Sequence, residues 1–136
     1  ACAAVNGAKQ DPVQAVLEVT EGRGADLVIE TAGAEAAAQQ AVRLTKKGAV
    51  IVFVGYTKSG MVSLPMSLAL DKELTFRTVF RYRHIYPMAI EAVASGAVNL
   101  KGIVTNIFDF SDLQRAMDLS VRDKANIVKS VVKIGG

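Results

Sequence analysis

The stretch Asp26-Leu27-Val28-Ile29-Glu30-Thr31-Ala32-Gly33 decides the fold, together with Ala49-Val50-Ile51-Val52-Phe53-Val54-Gly55. Each is a short apolar run with a glycine at or just beyond its end, which is typical of a buried strand that turns at its carboxyl end. Between them, Ala34–Lys46 is alanine-rich and predicts a helix that ends at Lys46-Lys47-Gly48. A strand, a helix and a second strand in this order predict a parallel β-α-β unit.

The same alternation continues on both sides of this unit. Upstream, Ala3–Val5 predicts at most a short strand, and Asp11-Pro12 predicts the start of a helix that stops at Gly22. The downstream patterns predict a strand at Leu74–Phe80, a helix at Tyr86–Ser95, an extended segment at Ile103–Phe110, a helix that starts with a capping box at Ser111 and Gln114, and a last strand at Ile127–Ile134. We therefore expect one α/β unit around a parallel sheet.

Composition excludes several classes of protein. Hydrophobic residues make up 51% of the 136 residues and the net charge is only +3, which excludes intrinsic disorder. The longest apolar run, Ala49–Val54, is far shorter than the roughly 18 residues of a membrane span. Scattered charge and 6% aromatic residues argue against nucleic acid as a partner. A single cysteine, Cys2, excludes an internal disulfide and fits a cytoplasmic location.

Candidate binding residues follow three of the predicted strands. Ligands of open parallel sheets bind beyond the carboxyl ends of the strands, and these ends carry Glu30–Gly33, Val54–Tyr56 and Val79–Tyr82. Gly33 and Gly55 fit two interpretations: close approach of a flat ligand, or tight turns between strand and loop.

The polar cluster Arg81-Tyr82-Arg83-His84 is also open to two interpretations. Its guanidinium groups fit phosphate or hydroxyl oxygens, and the same residues fit a solvated surface loop. The sequence has no phosphate-binding glycine motif after a strand, because Gly22-Arg23-Gly24 precedes one. One cysteine and one histidine cannot form a Cys/His zinc cluster within this chain. The residues therefore predict a binding surface without catalytic or metal-ligating groups.

Longer segments resemble a known family. Gly24–Gly33 and Lys47–Gly55 resemble the coenzyme domain of medium-chain zinc-dependent dehydrogenases. Val79–Arg83, followed by Tyr86–Ile90, resembles the sorbitol/xylitol (polyol) dehydrogenase branch. The resemblance implies an α/β fold with a partial doubly wound (Rossmann-type) parallel sheet, without its first two strands and its GxGxxG loop. It also implies that residues 1–102 belong to the nucleotide-binding domain and that residues 103–136 return to a catalytic domain.

The resemblance further implies an activity for a longer parent enzyme. This enzyme would oxidise a sugar alcohol to a ketose and transfer hydride to NAD or NADP, with NAD favoured. Its zinc ligands would lie outside this chain, so the isolated 136 residues are expected to be inactive. The parent is expected to be a homo-oligomer, either a dimer or a tetramer.

Roles for individual residues follow from the same resemblance. Coenzyme contacts are implied for nine residues, with the adenosine half near the first two and the pyrophosphate near the last: Thr31, Ala32, Val54, Gly55, Tyr56, Val79, Phe80, Arg81 and Lys129. Arg81 and Tyr82 are implied to contact polyol hydroxyls. The alternative hypothesis is a stand-alone α/β module that self-associates. The resemblance implies that the strand at Leu74–Phe80 helps to build a subunit interface, and Asp26–Thr31 would leave an unpaired sheet edge.

Overall fold

The computed structural model describes residues 2–135 of the chain. Two compact units are present, one ending at Arg81 and one beginning at Tyr82. The first unit contains α1 (Pro12–Val19), β1 (Ala25–Glu30), α2 (Glu35–Leu44), β2 (Thr45–Phe53), α3 (Met66–Asp71) and β3 (Thr75–Thr78). The second contains α4 (Tyr86–Ala94), β4 (Asn106–Asp109), α5 (Leu113–Arg122) and β5 (Ser130–Lys133), with a 3-10 turn at Phe110–Asp112 before α5.

The first unit is built on a parallel sheet of order β1-β2-β3. Its buried cluster consists of small and branched side chains from α2, β2 and α3, namely Ala41, Val42, Ile51 and Ala69. Val28 packs against this cluster from β1, whereas Leu27 and Ile29 point to the other face and are 53% and 58% exposed. The expected parallel α/β fold is therefore confirmed.

Helix α1 begins where the sequence predicts. The Asp11 side chain accepts a hydrogen bond from the main-chain N–H of Val13 at 2.8 Å, and Pro12 occupies the first helical position. The helix ends at Val19, and Gly22 follows with a φ of +78°. An N-cap, an early proline and a later glycine thus define this short helix.

Helix α2 is shorter than predicted. It ends at Leu44, and the next residue is extended, with its hydroxyl, Thr45 Oγ1, bonded to the Val42 carbonyl at 3.0 Å. Lys46-Lys47-Gly48 therefore lies in β2 rather than at a helix end. Lys46 forms an ion pair with Asp26, and the hydrogen bond and charge of Lys46 hold the pKa of Asp26 below its ordinary value.

The second unit has its own parallel pair, β4-β5, with Asn106 opposite Ser130 and Asp109 opposite Lys133. The predicted capping box is wrong, because Ser111 lies in the 3-10 turn and α5 starts after Asp112 without a side-chain cap. The Gln114 side chain instead bonds Asp118, four residues on and one helical turn away.

Two other expectations need correction. Ala3–Val5 forms no strand in the described chain. The strands form two sheets in two units rather than one α/β unit, since no ladder joins β4-β5 to β1-β2-β3 within residues 2–135. The division at residue 102 concerns domains of a longer protein and stays a prediction. None of the helices between residues 2 and 135 has the length and apolar character needed to cross a membrane.

Candidate functional site

The carboxyl ends of the three strands in the first unit lie side by side. Glu30 of β1 pairs with Phe53 of β2, and Phe53 pairs with Thr78 of β3, so the strands end at one level. The segments that follow them directly therefore leave the sheet at a single edge. Eight of the sequence-predicted residues lie in these segments: Thr31, Ala32, Val54, Gly55, Tyr56, Val79, Phe80 and Arg81.

Gly33 and Gly55 bring the first two of these segments into main-chain contact. A Cβ on Gly55 would lie 2.1 Å from the Gly33 nitrogen, and a Cβ on Gly33 would lie 2.4 Å from the Tyr56 carbonyl oxygen. Gly33 also has a φ of +65°, which favours glycine. Packing between the two segments is sufficient to require both glycines, in agreement with the tight-turn interpretation.

Glu30 accepts hydrogen bonds from both of these segments at a buried position beneath them. It is 6% exposed, and its Oε1 accepts hydrogen bonds from the main-chain N–H groups of Ala32 and Gly33, both at 2.8 Å. Its carbonyl oxygen accepts two more, from Val54 at 2.9 Å and Gly55 at 3.0 Å. A buried carboxylate needs such partners, because burial without them is costly. One residue thus holds the turn after β1 and the start of the segment after β2.

The sequence places Glu30 in the candidate segment Glu30–Gly33 but assigns no role to its side chain. The available signal was an acidic residue at the end of an apolar strand, just before Thr31-Ala32-Gly33. That position alone does not reveal whether the side chain points to solvent or turns back to bond the main chain.

The exposed surface of this edge is mainly apolar. Val54, Val79 and Phe80 are 41%, 50% and 66% exposed. The Arg81 guanidinium lies over the Phe80 ring, 5.2 Å from its centroid, and adds one positive charge. The N–H of Val79 is bonded to the Phe53 carbonyl at 3.0 Å, so this segment is also held to the sheet. Such a fixed apolar wall suits a flat ring better than a highly charged ligand.

A cavity of about 200 Å³ adjoins the strand ends in the first unit. It is lined by residues that include Glu30, Phe53, Leu64 and Thr78. Its volume is below the roughly 300 Å³ at which ligand pockets begin. A dinucleotide would therefore have to lie along the open edge rather than inside this cavity.

Tyr82 and Lys129 belong to the second unit. The Tyr82 ring contacts the Tyr86 ring at a centroid distance of 5.3 Å, and the Lys129 carbonyl accepts a hydrogen bond from the Thr105 N–H at 3.1 Å. Neither contact tests the roles implied for these residues, so substrate binding by Tyr82 and pyrophosphate binding by Lys129 stay predictions.

A metal site needs several ligand side chains close together. Residues 2–135 bring together no group of three or more His, Cys, Asp or Glu residues that could hold a metal ion. The described residues therefore do not fit a zinc centre of their own.

Comparison with known proteins finds similarity to dehydrogenases, both in a family model and in individual relatives. Residues 1–95 match the sequence model of a family described as zinc-binding dehydrogenase. An uncharacterized zinc-type alcohol dehydrogenase-like protein of Escherichia coli is 42% identical over 130 residues, which are 96% of this chain and 37% of that protein. Sorbitol dehydrogenase of Bacillus subtilis is 32% identical over 128 residues, or 94% of this chain and 36% of that enzyme.

A solved structure shares the fold. The crystal structure of an Escherichia coli oxidoreductase/dehydrogenase of unknown specificity matches with a TM-score of 0.86 and 41% identity, covering 96% of this chain and 37% of the other. The chain thus spans little more than a third of the length of these relatives.

Proposed function

The chain belongs to the zinc-binding dehydrogenase family, and on this premise we propose that it forms the nicotinamide side of the coenzyme site in a polyol dehydrogenase. The observation that carries the proposal is the alignment of three strand ends, which brings eight predicted coenzyme residues to one edge. The protein at its native length would oxidise a sugar alcohol to a ketose. The bound NAD, or NADP, would accept the hydride.

Zinc in this proposal is held outside the chain, because the described residues assemble no ligand group. The contribution of the chain is positional: it holds one ring of the coenzyme at a fixed place and orients the substrate. On this account the 136 residues alone have no turnover. Cytoplasmic location is part of the proposal and rests on the single cysteine, Cys2.

The coenzyme roles divide along the edge. Thr31 and Ala32 after β1 would face the adenosine half. The apolar side chains after β2 and β3 would form the wall against which the nicotinamide lies, and they are Val54, Tyr56, Val79 and Phe80. Gly55 would allow its main chain to approach the ring. Lys129 belongs to the second unit rather than to this edge, and its proposed role is that of a point charge for the pyrophosphate. The hydrogen bonds of Val54, Gly55 and Val79 support this assignment, because they hold the wall in place before the coenzyme arrives.

The substrate role is assigned to Arg81 and Tyr82. A guanidinium and a phenol both suit hydroxyl groups, and Arg81 is exposed at the end of the apolar wall. Support for a polyol also comes from the similarity to sorbitol dehydrogenase of Bacillus subtilis.

Substrate oxidation by the protein at its native length tests the proposal. We expect NAD-dependent oxidation of sorbitol or xylitol that is abolished by a zinc chelator. Arg81→Met should raise the polyol KM about tenfold or more, because a charged hydrogen bond is lost. Arg83→Met removes the same charge two residues away and should change the KM by less than about twofold. Equal KM values for the two variants, or no polyol oxidation by the wild type, would contradict the proposal.

A self-association module is the second candidate, and one element favours it. Strand β3 lies at the edge of its sheet, and all four of its residues are exposed. An uncovered edge pairs readily with another chain. Within the dehydrogenase proposal the same strand would contribute to a homo-oligomer, either a dimer or a tetramer.

A further inference from the structure

We propose that Glu30 is a positioning residue of the coenzyme edge, acting through the main chain of the loops rather than by touching the coenzyme. The inference deepens the proposed function and rests on it. Four hydrogen bonds end on this residue: two N–H groups of the segment after β1 bind its carboxylate, and two N–H groups after β2 bind its carbonyl. Its burial, with 6% of its surface exposed, places it behind the surface that would receive the coenzyme.

The carboxylate of Glu30 holds the segment Thr31–Gly33, which follows β1 and is called the β1 loop below. Both 2.8 Å bonds to Ala32 and Gly33 end on one oxygen, Oε1, and bonds to a charged acceptor are about twice as strong as bonds between neutral groups. These two N–H groups precede α2, which has no side-chain cap at Ala34. Among residues 2–135 these two N–H groups bond only to Glu30 Oε1, so removal of the carboxylate takes away both bonds that hold the segment Thr31–Gly33.

The effect of Glu30 extends to the segment Val54–Tyr56, which follows β2. Gly55 packs against Gly33 so closely that an added Cβ on Gly55 would also lie 2.6 Å from Glu30 Oε2. Movement of the β1 loop would therefore remove the surface on which the Gly55–Tyr56 segment rests. Thr31 and Ala32 on one side and Val54 and Tyr56 on the other then lose their alignment together. Since prearranged contacts bind more tightly than contacts that must first be ordered, coenzyme affinity should fall.

Three substitutions of Glu30 separate positioning from simple packing. Glu30→Ala removes both acceptors, Glu30→Asp keeps the charge but shortens the reach, and Glu30→Gln keeps an oxygen at the same distance. The matched control is Glu35→Ala, which removes an exposed carboxylate from the first turn of α2.

The experiment uses the protein at its native length and titrates NADH by fluorescence, with steady-state kinetics on a polyol. We expect Glu30→Ala and Glu30→Asp to raise the NADH Kd about tenfold or more, and Glu30→Gln to restore it to within about threefold of wild type. The polyol KM at saturating coenzyme should stay within about threefold in every variant, which a general loss of fold would not produce. Glu35→Ala should match the wild type.

The outcomes are distinguishable. If Glu30→Ala does not fold, the comparison of Glu30→Asp with Glu30→Gln decides, because both keep a polar group at the buried site. An NADH Kd that is unchanged in the folded variants overturns the inference and leaves the proposed function intact. A wild type that binds no nicotinamide coenzyme overturns both. A polyol KM that rises in parallel with the NADH Kd also overturns the inference, because the role is then merely structural.

Discussion

At the residue scale, the site edge depends on main-chain contacts that leave no room for side chains. Gly33 and Gly55 pack against each other's segments, and Glu30 binds the N–H groups around them. The side chains proposed to meet the coenzyme, such as Val54 and Phe80, are by contrast exposed. An added side chain at either glycine should therefore lower stability, whereas substitution of an exposed residue such as Val54 or Phe80 should affect coenzyme binding.

Substitution of Gly55 tests this division. Gly55→Ala places a methyl group 2.1 Å from the Gly33 nitrogen, and main chain cannot move aside as a flexible side chain does. We expect the free energy of unfolding to fall by about 2–3 kcal/mol, as in other overpacked sites. The measurement is urea denaturation of the protein at its native length.

Gly102→Ala is the control for this substitution. Its added Cβ meets only the Asn99 side chain at 3.8 Å, and its φ lies outside the positive region, as does that of Gly55. A change of less than about 0.5 kcal/mol is expected there. If Gly55→Ala were equally mild, the contact between the two segments would be looser than the structure shows.

The position of the candidate site could be predicted from the sequence, but the residue that holds it could not. Short apolar runs followed by glycine identify strand ends, so the positions of Thr31, Ala32 and Val54 to Tyr56 after the strands were predicted from local pattern. Their coenzyme roles come from the resemblance and stay predictions. The role of Glu30 depends on its burial and on main-chain N–H groups that turn back toward it. Neither feature is encoded in the spacing of residue types.

At the scale of elements, the carbonyl groups at the end of helix α2 are bound by a residue that is distant in sequence. Lys72, which follows α3, donates hydrogen bonds from Nζ to the carbonyls of Val42, Arg43 and Thr45 at 3.0, 2.7 and 2.7 Å. The carbonyls of Val42 and Arg43 belong to the last turn of α2, where carbonyls lack partners within the helix and carry partial negative charge. The partial burial of Lys72 lowers the pKa of its ammonium group. The basic residues Lys46 and Lys47, which the sequence suggested for this task, lie in β2 instead.

Removal of the Lys72 ammonium should loosen the junction between α2, α3 and β2. We expect Lys72→Met to reduce the free energy of unfolding by about 1–2 kcal/mol, because three carbonyls lose a charged donor at a partly exposed site. Lys47→Met, at an exposed position in β2, should cost less than about 0.5 kcal/mol. Thermal unfolding of both variants measures the difference, and equal midpoints would contradict a capping role for Lys72.

Element positions were predicted well where the signal is local. Helix α1 has its own cap and proline, and β2 has a continuous apolar run, so both were found near their observed positions. The predictions of helix ends and sheet arrangement were wrong where contacts between residues distant in sequence determine the structure. The Lys72 contact spans 27 to 30 residues, and the separation of β4-β5 from the other sheet depends on pairing across the chain. Ser111 matched a capping pattern, but it lies inside the 3-10 turn and α5 starts only after Asp112.

At the scale of the whole molecule, the chain exposes more surface than its mass requires. Its accessible area is 10695 Å², whereas a folded monomer of 14.4 kDa should expose about 6,800 Å², and two separate folded units about 8,200 Å². Seven hydrophobic side chains are buried in the described part of the chain, and five of these are alanines. Apolar residues such as Leu27 and Ile29 remain exposed on one face of the sheet. Exposed apolar residues grouped on one face of a sheet are typical of a surface that packs against other protein.

Comparing the 136-residue chain with the protein at its native length tests whether this apolar surface is covered by other protein. We expect the 136 residues alone to bind the apolar dye ANS and to elute as oligomers in size-exclusion chromatography with light scattering, because exposed apolar surface and the β3 edge both favour association. At native length, ANS binding should disappear, since the remaining residues would cover the same surface.

If the native product itself has a mass near 14.4 kDa, its stable oligomer would favour the self-association module over the dehydrogenase. A 136-residue chain that stays monomeric without binding ANS would contradict the argument from exposed area, because its hydrophobic surface would then be covered by the chain itself.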